Sequence, residues 1–103
     1  MSIQELIEKL AKEVEGEKNA EDEILIFTLS TCQWCKKCKR FLNDRSTKYR
    51  YIDVDLIDRE DKSQIIDYLR SRYQARISYP FLVCSKGFVV GYNPNQYEEL
   101  LGK

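Results

Sequence analysis

The chain of 103 residues has no histidine, two prolines, four glycines and one tryptophan, and its seventeen basic side chains cancel its seventeen acidic ones. Each shortage closes off something. Without histidine, a zinc site of the mixed cysteine and histidine kind lacks its nitrogen ligands. With zero net charge, no global field favours nucleic acid or an anionic membrane as the main partner. The apolar runs are only a few residues long, far short of the roughly 20 that span a bilayer, and the first residues lack the charged-then-apolar pattern of a secretory signal. The expectation is a cytoplasmic, monomeric protein with no membrane and no nucleic-acid partner. No repeat, low-complexity tract or linker interrupts the chain, whose length suits one compact domain.

Cysteine is not scarce. Three of the four lie in STCQWCKKCKRF, residues 30–41, as Cys32, Cys35 and Cys38, and the fourth is Cys84. In a reducing compartment such residues are catalytic, metal-binding or simply buried more often than paired in a structural framework.

The patterning around them alternates helix and strand. Ile3, Leu6, Ile7, Leu10, Ala11 and Val14 share one helix face, with Ser2 and Glu5 as a capping box and Gly16 as a stop. Residues 17–23 read as a polar loop, and EILIFTL predicts a buried strand over 23–29. Ser30 or Thr31 then caps a helix ending near Asp44. KYRYIDVDL predicts a strand over 49–55, and Asp58 caps a helix over 59–73 with Ile65, Ile66, Leu69 and Tyr73 inward. Two strands over 81–84 and 87–90 form a hairpin, and Asn93, Pro94 and Gln96 open a last helix through Leu101. The central βαβ unit is expected to be parallel and right-handed, and the hairpin adds antiparallel strands. The result is an α/β fold with a four-stranded mixed sheet flanked by helices.

A CxxC motif where a strand meets a helix has a specific chemical use. The unpaired amides and positive end of a helix N-terminus stabilise a thiolate, which marks Cys32 as the nucleophile. Cys35, one turn in, can attack the mixed disulfide that Cys32 forms with a substrate. Cys38 falls about 60° short of a full turn from Cys35, toward the core; packing, a second resolving thiol and a cluster ligand all remain open for it. Cys84 reads as a core residue. The alternative function is an iron–sulfur cluster binding or carrier protein, because CxxCxxC with a distant cysteine offers four thiolates. Against it, KKCKRFL looks helical, no proline follows a cysteine, and Cys84 is about fifty positions away in a strand. Trp34 reads either as an exposed aromatic rim that packs on a substrate or as a half-buried anchor. Seven basic residues between Lys36 and Arg50 face one acid, whereas residues 1–23 hold eight acids and three bases. Solvated faces and steering of an acidic partner toward Cys32 both account for that asymmetry.

TCQWCKKCKRFL after a strand, SYPFLV about fifty residues on, and VVGYNPNQYEELL at the end together resemble the glutaredoxins and the small glutaredoxin-like redoxins that serve ribonucleotide reductase. The resemblance covers residues 23–103 and leaves residues 1–22 as an N-terminal amphipathic helix and loop, an extension also found in some archaeal glutaredoxin-like proteins. It implies a thioredoxin fold and a dithiol disulfide oxidoreductase working through Cys32 and Cys35, with no metal and no cofactor. Pro80 takes the place of the family's cis-proline. The backbone of Tyr79 before it pairs with a bound peptide or thiol in a strand-like way, and Gly91 and Tyr92 complete the substrate-binding set with Trp34. The partners implied are a disulfide-bearing protein or low-molecular-weight thiol as substrate and an upstream thiol or flavin reductase. Glutaredoxins usually carry lysine three residues before the first cysteine. Here that position is Leu29, which implies poor use of glutathione.

Overall fold

The computed structural model describes residues 2–14 and 24–101. The chain runs α1 (Ile3–Leu10), β1 (Lys12–Val14), β2 (Leu25–Thr28), α2 (Gln33–Asp44), β3 (Tyr49–Asp53), α3 (Arg59–Tyr73), β4 (Phe81–Cys84), β5 (Gly87–Val90) and α4 (Pro94–Leu101). The strands form one sheet in the order β1-β3-β2-β4-β5, with β2 and β3 parallel and every other neighbouring pair antiparallel.

Among the described residues the expected four strands are five. The leading helix does not continue through Val14: Ala11 turns extended at φ −68° and ψ 133°, donates its N–H to the Ile7 carbonyl at 2.8 Å and ends α1. Lys12, Glu13 and Val14 then pair with Tyr51, Arg50 and Tyr49. An open edge of β3 offers unpaired backbone groups, and three residues satisfy more of them as a strand than as one more helical turn. The proposed stop at Gly16 and the loop over 17–23 lie outside the described residues. Ser2 does cap α1, its hydroxyl accepting from the Glu5 N–H at 3.2 Å. Asp58 makes no side-chain capping bond to α3.

Alternation along the strands builds two cores, one on each face of the sheet. Leu25, Phe27, Phe81 and Val83 face α1 and α3, where they meet Leu6, Ile7, Ile65 and Leu69. Ile24, Ile26, Leu82 and Val89 face α2 and α4, meeting Cys38, Leu42 and Tyr97. The site described next lies at the start of α2, where the chain leaves the end of β2.

Candidate functional site

The Cys32 N–H donates to the Leu29 carbonyl at 3.2 Å, closing the turn out of β2. Cys32, not Ser30 or Thr31, is the cap of α2: its Sγ accepts from the Cys35 N–H at 3.3 Å. Ser30 instead ties the turn to the loop after β3. Its N–H and hydroxyl both donate to the Asp55 carboxylate, at 2.9 and 2.5 Å, and these two bonds hold Asp55 below the usual carboxylate range.

The three motif cysteines differ sharply in surroundings. Cys32 is partly open to solvent. Cys35 is 1% exposed, and its thiol is pushed up to about 12, first by burial and then by a hydrogen bond with Cys32. Cys38 is fully buried beside Tyr97 in the second core and is pushed up to about 11 by desolvation. Cys84 is half-buried at the end of β4, at the margin of the same core. All four are unpaired thiols. Among the described residues no three Cys, Asp or Glu side chains gather as a metal ion requires.

The other expected residues are linked to one another, Gly91 to Pro80 and Tyr92 to Trp34. The Tyr79–Pro80 peptide is cis and Pro80 is buried. Burial raises the Tyr79 phenol, partly offset by the nearby Arg70 charge. Gly91 adopts φ 83°, a region that favours glycine, and donates its N–H to the Pro80 carbonyl at 2.8 Å. Trp34 is 55% exposed, its ring stacks on Tyr92 with centroids 5.9 Å apart, and the Lys37 ammonium lies 4.5 Å from its centroid. Leu29 packs against the first core.

Part of the charge asymmetry is paired within the fold. Lys48 pairs with Glu13 at 2.5 Å, Arg50 with Glu8 at 2.9 Å and Lys39 with Asp53 at 3.5 Å. Lys36 and Lys37 stay exposed beside Cys32.

Sequence reasoning missed Tyr97. Its hydroxyl donates to the Gly91 carbonyl at 2.6 Å, and its ring meets Tyr92 edge-on at 6.0 Å and Phe41 at 5.5 Å. A signal was available. With Asn93 as cap, its Oδ1 accepting from Gln96 N–H at 3.2 Å, Tyr92 and Tyr97 occupy the two positions of a hydrophobic staple.

The glutaredoxin family model matches residues 24–89. A glutaredoxin from Methanosarcina mazei superposes with a TM-score of 0.78 at 26% identity, over 90% of this chain and 88% of that one. Methanosarcina acetivorans methanoredoxin gives 0.73 at 34% identity, over 82% and 88%. The glutaredoxin-like NrdH-redoxin of Escherichia coli shares the fold, at 0.62 and 23% identity, over 76% and 93%. No curated protein sequence matches the chain significantly. The motif at Cys32, the five-stranded sheet and a family match over most of the chain lead to one conclusion: this chain is a member of the glutaredoxin family.

Proposed function

We propose that the chain is a dithiol disulfide oxidoreductase in which Cys32 is the nucleophile and Cys35 the resolving thiol. The observation that carries this reading is the contrast between a partly open Cys32 Sγ, accepting the Cys35 N–H at the start of α2, and a Cys35 thiol closed off behind it. A hydrogen bond from a backbone amide strengthens as the acceptor sulfur gains negative charge. The Cys32 thiolate attacks one sulfur of a substrate disulfide, forming a mixed disulfide and expelling the other sulfur as a thiolate that takes a proton. Cys35 then loses its proton and attacks Cys32 Sγ, releasing the second substrate thiol. Two electrons have passed from the protein dithiol to the substrate, and a Cys32–Cys35 disulfide remains for an upstream donor to reduce. In this reading Trp34, Tyr79, Pro80, Gly91 and Tyr92 form the substrate-binding surface. Leu29 is packed inward and offers no cation to a carboxylate, which favours a thiol or flavin reductase over glutathione as donor.

The role assignment is asymmetric and so is its test. Cys35→Ser accumulates a covalent adduct with a peptide disulfide, visible by mass spectrometry and released by excess reductant, whereas Cys32→Ser forms none and loses turnover. Equal residual turnover in both variants would sink the assignment. Iron with acid-labile sulfide in anaerobically purified protein would support the cluster-carrier reading instead.

A further inference from the structure

Gly91 is held on both sides. Its N–H donates to the Pro80 carbonyl at 2.8 Å, and its carbonyl accepts from the Tyr97 hydroxyl at 2.6 Å. Tyr97 itself is fully buried in α4, on the face of the sheet that α2 also covers, and a phenol there needs a partner. Its single proton goes to the Gly91 carbonyl. Because the two polar groups of a trans peptide point in opposite directions, fixing the Gly91 carbonyl toward Tyr97 turns the Tyr92 N–H away from it. The Tyr97 ring supports the Tyr92 ring edge-on at 6.0 Å, and Tyr92 in turn backs Trp34 at 5.9 Å. One buried side chain therefore touches neither sulfur, yet sets both the peptide bonded to Pro80 and the aromatic wall beside Cys32.

We propose that Tyr97 is a positioning residue for substrate: through its hydroxyl on the Gly91 carbonyl and its ring against Tyr92, it holds the Pro80–Gly91 contact and the Trp34–Tyr92 wall in register to receive a peptide backbone next to Cys32. The proposal rests on the oxidoreductase reading above. It separates substrates by chemistry, because a disulfide on a peptide uses this surface and a compact disulfide without peptide bonds does not.

The test is Tyr97→Phe, which keeps the ring and removes one hydroxyl, assayed with dithiothreitol as reductant on a peptide disulfide and on bis(2-hydroxyethyl) disulfide. The expected result is a rise in KM of about threefold to tenfold for the peptide disulfide, the size of one net hydrogen bond, with kcat unchanged. KM for the small disulfide and the rate of Cys32 alkylation by iodoacetamide stay at their original values. Cys38→Ala, a change in the same core that leaves the Tyr97–Gly91 bond in place, does not raise KM. Should Tyr97→Phe fail to fold, Tyr92→Leu decides, because it removes the ring that links Tyr97 to Trp34 and raises the same peptide KM. An unchanged peptide KM, an equal rise on both substrates, or a rise in Cys38→Ala overturns the proposal. Absence of turnover in the unsubstituted chain overturns the oxidoreductase reading with it, whereas turnover with no shift in Tyr97→Phe overturns this inference alone.

Discussion

Cys35 lies one helical turn from Cys32 yet sits in a different medium, and the proposed second exchange step depends on that difference. Its thiol is held up at about 12, with burial as the largest cause and the Cys32 hydrogen bond second. Once Cys32 is tied up in a mixed disulfide the second cause is gone, but the burial remains. Only a small fraction of Cys35 is then thiolate near neutrality, and the exchange rate follows that fraction. In the proposed mechanism, resolution of a thionitrobenzoate mixed disulfide on Cys32 should accelerate about tenfold per pH unit from about pH 6 to about pH 9. Stopped-flow absorbance of the released thiol reads this directly. A plateau below about pH 8 would show that Cys35 ionises freely and that its burial does not govern the step.

At the scale of elements, α1 and β1 extend the fold in two different ways. Leu6 and Ile7 are buried in the first core against Ile65 and Leu69 of α3, whereas β1 lies at the sheet edge with Glu13 reaching Lys48 in an exposed ion pair. Removing a buried leucine loses transfer energy and leaves a cavity; removing an exposed ion pair loses little. Leu6→Ala should therefore lower unfolding stability by about 2–5 kcal/mol, while Glu13→Gln should cost less than about 1 kcal/mol. Urea titrations of both variants check this, and comparable losses would mean that α1 is not integral to the core. The sequence made α1 readable because eight residues repeat an apolar face. It hid β1 because three residues carry no usable period, and their strand state is set by the β3 edge some 35 positions away. The site divides in the same manner. Cys32 and Cys35 declare themselves through local spacing, Pro80 only through the resemblance of its SYPFLV stretch to the glutaredoxins, and the staple at Tyr92 and Tyr97 was there to be found. The hydrogen bonds of Ser30 to Asp55, twenty-five positions apart, depend on how separate elements dock, which no local pattern encodes.

Across the whole molecule, the second core contains protonated groups that ordinary apolar cores lack. Desolvation, the largest cause in each case, raises Cys38 to about 11, Tyr49 to about 12 and Tyr97 further still, and across the sheet end it raises Cys35 to about 12. In an unfolded chain the cysteines release protons near 9.0 and the tyrosines near 10.0. Above pH 9 the folded state therefore holds more protons than the unfolded one, so the derivative of unfolding free energy with pH is negative. The stabilisation is fully present below pH 9 and is lost as pH climbs through the raised values. Each group that stays protonated only in the folded state contributes up to about 1.4 kcal/mol per pH unit to that slope. The thermal midpoint should accordingly be nearly flat from about pH 7 to about pH 8.5 and fall steeply beyond pH 9. Tyr49→Phe and Cys38→Ala should each make the alkaline fall shallower, because each deletes one ionisation that folding suppresses. A midpoint that holds level to about pH 11, or slopes unchanged in both variants, would mean that these groups meet water in the folded chain and that the second core is more open than its packing implies.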